Sequence, residues 1–411
     1  MRSGRVLGIV ARTTVALVSA GALVATGVAW SLQQRVTAAI VTSNALTEGR
    51  TDAPPVAPGQ AFTALLVGLD ARTDANGDPL PAAMLDALHV GPDDGQLNTD
   101  TIILLHVPAD PASPAVAVSI PRDSYVPIAG GRGTHKINSA YGRAFDEAET
   151  TLTAQGLTGA ARDHQGKEAG RAALIATVEA LTGVRIEHYA EINFAGFVDL
   201  TAALGGVPVC LNRAVSDSYS GIDLPAGPQT VNGAAALAFV RQRHGLDGGD
   251  LDRIARQQAF IAGLTQRLRS AGTLSDPAKL SQLVAVASRY LVVDKGWDLD
   301  QALTQASRLA GDNLTFRTIP TGRPDLRTPY DGVAVQIDQA AVKAFVSGLV
   351  AESDSPPTTT PVPTPDTVAA KPAGTPITTT TAPLTTTPLT TTAAATTTPR
   401  VITADGVPCV N

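Results

Sequence analysis

FTALLVGL (62–69), TIILLHV (101–107) and AVAVSI (115–120) are runs of strand length, rich in Val, Ile and Leu and nearly free of charge. Such runs belong to strands buried on both faces of a sheet, because a strand wet on one side alternates apolar with polar residues. HYAEIN (188–193), VPVCL (207–211) and NLTFRTI (313–319) are shorter candidates of the same kind. Around them lie stretches of helical period at 170–181, 194–204, 232–242, 251–270, 277–290, 299–310 and 338–350. Gly183 and the Gly205-Gly206 pair stand where helix C-caps belong, and Asn232, Asp298 and Asp338 where N-caps belong. Strands interleaved with helices predict an α/β fold, a three-layer α/β/α sandwich with a central mixed sheet.

Charge collects where the long strands end. The first runs into GLDAR, which places Asp70 and Arg72 at its C-terminal end. The second is entered through NTD, with Asp100 at its start, and the third runs into IPRDSY, with Arg122 and Asp123 at its end. If the second strand runs antiparallel to its neighbours, Asp70, Asp100 and Arg122 share one rim of the sheet. Hard divalent cations take carboxylate oxygens and guanidinium matches phosphate in a two-point fork, so such a rim suits a polyanion. Taken singly, an Asp beside an Arg is also an ordinary surface pair.

A second concentration is AALAFVRQRHGLDGGDLDRIARQQ (235–258). An apolar helix ends on Arg241 and Arg243, a glycine-rich connection follows, and Asp250 opens a helix carrying Arg253, Arg256, Gln257 and Gln258. Arg253 and Gln257, four apart near a helix N-terminus, share one face, where the helix dipole also favours an anion. The alternative is a solvated charged face; His244 reads as structural.

The 411 residues are 44% hydrophobic, enough for a sizeable core, and 31 Lys+Arg against 37 Asp+Glu give a net charge of -6. That balance argues against nucleic acid as a partner. From residue 13 to 34 no charge occurs, Arg2, Arg5 and Arg12 precede the stretch and Arg35 follows. This predicts a single-pass transmembrane helix with a cytoplasmic N-terminus (1–12), a cleaved secretory signal being the rival reading. Residues 35–60 then form a juxtamembrane linker and 61–350 an extracytoplasmic domain at the cell membrane. Residues 351–400 are a disordered Pro/Thr linker, with 19 Thr and 10 Pro among the 44 residues from 356 to 399. A short tail, 401–411, follows.

Cys210 and Cys409 are the two cysteines. Cys210 alone reads as a small buried hydrophobe, whereas Cys409 would be an exposed thiol outside the cell. A disulfide between them would tie the tail back, with an added edge strand as its docking mode and intermolecular pairing as the rival.

GLDAR, NTDTIILLHV, VSIPRDSYV, HKINSAYG, HYAEINFAGFVDLTAALGGVPVCL and LAFVRQRHG followed by GDLDRIARQQ resemble, in that order, the signature blocks of the LytR-CpsA-Psr proteins. These are cell-wall glycopolymer ligases, and the anchor and Cys-Val-Asn ending resemble the actinobacterial type. The resemblance implies a membrane-anchored phosphotransferase that moves a glycopolymer from a polyprenyl-pyrophosphate carrier to the C6 hydroxyl of muramic acid in peptidoglycan. The actinobacterial resemblance points to arabinogalactan as that polymer. It also implies an apolar tunnel for the prenyl chain and Mg²⁺ as cofactor. Carried over, Asp70 and Asp100 match the metal carboxylates, and Arg72, Arg122, Arg241, Arg243 and Arg253 the pyrophosphate-binding arginines, with Lys136 and Gln257 on the same rim. Arg122, Arg241, Arg243 and Asp250 are the catalytic set expected, Asp123 and Asp250 both being candidates for the base. One departure is the insertion NGDPLPAAMLDALHVGPDDGQL (76–97) between the two metal carboxylates. A polyprenyl-pyrophosphate pyrophosphatase and a non-catalytic carrier-binding protein would use the same phosphate clamp.

Overall fold

The computed structural model describes residues 40–47, 57, 59–88, 97–270, 277–297, 313–355, 402–403 and 406–411. Its centre is a mixed sheet of eight strands, numbered along the chain. In spatial order they are β1 (Val41–Ser43), β12 (Leu291–Asp294), β7 (His188–Asn193), β2 (Phe62–Asp70), β3 (Asn98–Val107), β4 (Ala115–Ser119), β13 (Leu314–Thr318) and β16 (Ile402–Thr403). β3 runs antiparallel to both β2 and β4, while β2 is parallel to β7 and β4 to β13. The three runs read as fully buried strands are all interior, with Ala64, Leu65, Ile102 and Leu104 no more than 1% exposed.

Three smaller sheets attach to this centre. β14 (Leu326–Arg327), β15 (Val333–Gln336), β5 (Ser124–Pro127) and β6 (Thr134–Lys136) form one, and β9 (Val215–Asp217) pairs with β10 (Ile222–Leu224) in a hairpin. β11 (Gly227–Val231), β8 (Val207–Leu211) and β17 (Cys409–Val410) form the third. VPVCL therefore leaves the main sheet, its buried character coming from the helices packed on it.

The described helices are α1 (Ala82–Ala87), α2 (Ser139–Ala154), α3 (Gly159–Thr182), α4 (Phe194–Ala203), α5 (Gly233–Arg241), α6 (Asp250–Ser270), α7 (Pro277–Tyr290) and α8 (Gln339–Asp354). On one face of the sheet Leu65, Val67, Ile102 and Leu104 pack on Leu174, Val178, Val342 and Val346 from α3 and α8. On the other, Ala64, Ile103, Leu105 and Phe316 pack on Ala262 of α6. Helices thus cover both faces, as the interleaved pattern requires. α6 also rests on β8, where a Cβ at Gly263 would lie 2.0 Å from the carbonyl oxygen of Pro208. Only glycine allows that approach, and beside it Phe260 closes a core with Val209, Leu211 and Phe239. Asp338 caps α8 by accepting from the amides of Ala340 and Ala341, whereas Asn232 at the start of α5 makes no side-chain cap.

On the α3 face a closed ionic network is buried. Arg171, 2% exposed, donates twice to Glu191 (2.9 and 3.0 Å) and once to Glu168 (2.8 Å). Tyr189 donates its hydroxyl to Glu191 at 2.7 Å. Glu168 also accepts from the Ser43 hydroxyl and the Asn44 amide, which fastens the β1 end to α3. Residues 40–47, expected in a linker, instead belong to the folded domain, with Ala45 and Leu46 in its core. α8 likewise runs on to Asp354, past the expected boundary at 350.

Among the described residues no helix is long and apolar enough to cross a membrane. The expected span at 13–34, the helix at 299–310 and the Pro/Thr stretch at 356–399 lie outside the described residues.

Candidate functional site

Between the β2, β3 and β7 face and helices α4, α5 and α6 lies a cavity of about 170 Å³. Leu66, Ile103, Ile192, Phe197, Leu237 and Phe260 supply apolar walls, while Asp100, Arg241, Arg253, Asn193 and Gln257 add polar groups. Apolar walls meeting convergent polar groups are the usual form of a ligand site.

A break in the β2–β3 ladder places Asp100. Gly68 pairs with Thr101 and Leu69 with Thr99, so Asp100 is the extra residue of a β-bulge. Strict alternation would send Asp100 to the same face as Ile102, into the core against α3. The bulge instead turns Asp100 and Thr101 both toward the cavity, the re-aiming that bulges commonly provide. Asp70 ends the partner strand, opposite Asn98.

Around these two carboxylates the sequence-predicted cations assemble. Arg122 is ion-paired to Asp100, and Arg72 Nε lies 3.3 Å from Asp70. Asp123 is surrounded by Arg243 (2.9 Å), Lys136 (3.3 Å) and Arg122 (3.8 Å). Arg253 pairs with Asp250 one turn away on α6. Arg241 donates to the Leu88 carbonyl at 3.1 Å, and its guanidinium lies 4.8 Å from the Phe194 ring centroid. Six cations (Arg72, Arg122, Lys136, Arg241, Arg243, Arg253) therefore share the rim with four carboxylates (Asp70, Asp100, Asp123, Asp250), an excess of two positive charges. The Nε atoms of Arg122 and Arg253 are buried with no hydrogen-bond partner.

The electrostatics follow from this crowding. Burial alone would raise the Asp100 carboxyl, but Arg122, Arg253 and Arg241 outweigh it and hold the group below the usual carboxylate range. Asp250 moves the other way, pushed up by burial and by Asp123 against the pull of Arg253 and Arg122. Burial lowers Arg241 and Arg253, whereas Asp100, Asp123 and Asp250 outweigh the same penalty at Arg122 and raise it.

Among the described residues no group of three or more His, Cys, Asp and Glu side chains gathers to hold a metal ion. The field of Arg241 nevertheless reaches both Asp100, which lines the cavity, and Asp70, which ends the neighbouring strand. One or two carboxylates completed by water and ligand phosphate are the donor set Mg²⁺ ordinarily takes, and the residues present fit it.

The structure brings Asp70, Arg72, Asp100, Arg122, Lys136, Arg241, Arg243, Asp250 and Arg253 together, and Gln257 joins them from the cavity wall, donating to the Val240 carbonyl at 3.4 Å. Arg256 leaves the group. Fully buried, it interacts with Asp252 and Arg213, and burial lowers it to about 10. Gln258 also turns away, to Ser119 at 3.0 Å. Two participants carried no signal of their own type. Phe194 reads as core, and Leu88, from the 76–97 insertion, contributes a main-chain oxygen. Cys210 and Cys409 are joined by a disulfide, and β17 adds to the edge of β8, parallel to it.

The model of the LytR_cpsA_psr family matches residues 32–347. The chain is 42% identical over 347 residues to the cell wall biosynthesis protein LcpA of Corynebacterium glutamicum, covering 84% of this chain and 66% of LcpA, just under two thirds of that relative's length. Over 240 residues it is 28% identical to the polyisoprenyl-teichoic acid–peptidoglycan teichoic acid transferase TagU of Enterococcus faecalis, 58% of this chain and 63% of TagU. The crystal structure of Bacillus subtilis TagV matches in fold, with a TM-score of 0.52 at 22% identity, covering 73% of this chain and all of TagV.

Proposed function

The chain belongs to the LytR_cpsA_psr family, and from that premise we propose that it transfers a glycopolymer from a polyprenyl-pyrophosphate carrier to peptidoglycan, at the outer surface of the membrane that its N-terminal segment spans. One observation carries this reading. An apolar cavity opens onto a rim with surplus positive charge, where the buried Nε atoms of Arg122 and Arg253 make no hydrogen bond. That is the complement of an amphiphile with a hydrocarbon chain and a polyanionic head. LcpA and TagU, named for wall biosynthesis and for teichoic acid transfer, support the same class of reaction.

In the reaction a muramic acid hydroxyl attacks the sugar-linked phosphorus, the bond from that phosphorus to the bridging oxygen breaks, and prenyl phosphate leaves with the electron pair. Arg122, Arg241 and Arg253 hold the pyrophosphate oxygens in line and neutralise the charge that builds on them. Asp70 and Asp100 would hold Mg²⁺, which supplies further neutralisation on the same oxygens. Asp123 anchors three cations and so acts as a strut. Asp250, pushed up by burial, is the better proton acceptor and is the base of this proposal. Arabinogalactan is the polymer proposed.

The test combines purified full-length chain in detergent with Mg²⁺, peptidoglycan fragments and a polyprenyl-pyrophosphate glycan. Polymer joined to muramic acid through a phosphodiester, together with released prenyl phosphate, is the expected product. Prenyl phosphate without joined polymer would replace the transferase reading with a pyrophosphatase, and bound but unaltered lipid would replace it with a carrier-binding protein.

A further inference from the structure

The residues that follow the Pro/Thr stretch reach the arginine block from behind. β17 lies along β8 with Cys409 bonded to Cys210, and Val410, 2% exposed, enters the core formed with Val209, Phe239 and Phe260. The Asn212 amide donates to the Val410 carbonyl at 2.9 Å, continuing the pairing by one residue. The chain then delivers the main-chain oxygen of Asn411 to Nε of Arg256, at 2.5 Å.

Arg256 is fully buried, its guanidinium 5.3 Å from the centroid of the Phe239 ring. Its Nη1 donates to the Gln242 side-chain oxygen at 2.5 Å, and its Nη2 has no hydrogen-bond partner. Gln242 is 2% exposed and in turn donates to the His244 carbonyl at 2.9 Å. Gln242 stands between Arg241 and Arg243, so the hydrogen bonds that fix it also fix the backbone from which both rim arginines project. A buried guanidinium deprived of an acceptor must move toward water or another oxygen. Losing the Asn411 oxygen would leave Arg256 with the Gln242 oxygen as its one hydrogen-bond acceptor among the described residues, and movement of Arg256 would drag or release Gln242.

We propose that the disulfide-tethered tail is a positioning element for the anion rim, acting through the Asn411 main-chain oxygen, Arg256 and Gln242 to hold Arg241 and Arg243 in place. Arg256 and Gln242 are positioning residues, since neither touches the rim carboxylates. The proposal rests on the reading that the rim binds a pyrophosphate, and the experiment separates the two.

Inorganic pyrophosphate with Mg²⁺ is titrated calorimetrically into the full-length chain in detergent, and the thermal midpoint is recorded alongside. The variants are deletion of Asn411, which keeps the disulfide and β17, then Gln242→Leu, their combination, and Asn411→Ala, which keeps the main-chain oxygen. Deletion of Asn411 and Gln242→Leu should each weaken binding roughly fivefold, and their combination no more than the worse of the two, as members of one unit do. Asn411→Ala should bind as the wild type does. A folded Asn411 deletion with wild-type affinity, additive losses in the combination, or an Asn411→Ala variant as weak as the deletion overturns the proposal. If the deletion fails to fold, Gln242→Leu with wild-type affinity has the same consequence. Wild-type chain that binds no pyrophosphate overturns the rim reading itself, and is distinguishable from all of these.

Discussion

Two clusters of buried charge occupy opposite faces of β7 and β2, and they are built on different principles. On the α3 side Arg171 spends its donors on Glu191 and Glu168, and Tyr189, Ser43 and the Asn44 amide occupy further carboxylate oxygens. On the cavity side six cations meet four carboxylates, and the Nε atoms of Arg122 and Arg253 make no hydrogen bond. Both clusters carry the desolvation cost of buried ions. The first offsets it internally and so behaves as scaffold. The second leaves part of its charge uncompensated, the condition expected of a site whose missing partner is an anion.

If this distinction holds, damage to the two clusters should register in different measurements. The largest effect is expected from Arg171→Met, which leaves Glu191 and Glu168 buried without their cation. A loss of about 3–5 kcal/mol in urea unfolding is expected, with pyrophosphate affinity unchanged in the folded fraction. A stable Arg171→Met chain would mean that the α3 network is dispensable and the contrast between the clusters is lost.

Next comes Asp100→Ala, with Asp70→Ala beside it. Each should lower transfer by roughly 10²–10³-fold. Asp100→Ala should also lower the unfolding midpoint, since it takes the carboxylate partner from Arg122, but by less than Arg171→Met does. Wild-type rates in Mg²⁺ would remove the metal assignment. A smaller change is expected of Arg122→Lys, which keeps the charge and loses the planar fork. Roughly a tenfold fall in transfer rate is anticipated, and full activity would reduce Arg122 to a point charge.

The smallest expected effect is in pH dependence, and its sign differs between the clusters. Burial would raise Glu191, but Arg171, Tyr189 and Lys167 hold it below its ordinary value of 4.5. A lowered folded value contributes stability present above pH 4.5 and lost as pH falls from there through the lower folded value. Asp250 is raised above its ordinary value of 3.8, so its contribution is greatest below that value and is lost as pH rises through the folded value. Unfolding free energy measured from pH 3 to 6 should therefore show a shallower acid decline in Glu191→Gln, Asp100 supplying part of what remains. In Asp250→Asn the decline should instead steepen, since the opposing group is gone. Identical profiles for the two variants would show that neither carboxyl carries the shift assigned to it.

The long strands, most of the later helices and nearly all of the rim were legible in composition and periodicity, whereas β1, α1, α2 and residues 159–169 of α3 were not. Val, Ile and Leu runs bounded by charge mark strands that end at a surface, so Asp70, Asp100, Arg122 and Asp123 were legible as rim residues from strand ends alone. The 3.6-residue period of 251–270 put Arg253 and Gln257 on one face, where both line the cavity. Short strands such as β5, β6, β9 and β10 were not legible, because three or four residues carry too little periodicity and form through partners distant in sequence. The same locality hid the details that make the rim a site. Nothing in NTDTIILL marks Asp100 as a bulge, since a bulge is a property of two strands' register, and that register turns its carboxylate from the core to the cavity. Leu88 offers only a backbone oxygen, which has no residue signature. Arg256 reads as one of a run of arginines and lies only about 60° around the helix axis from Arg253, yet its acceptors are the Gln242 side chain and the main-chain oxygen of the folded tail. Tertiary structure decided these points because each depends on which distant segment arrives beside a residue, and local composition carries no record of that.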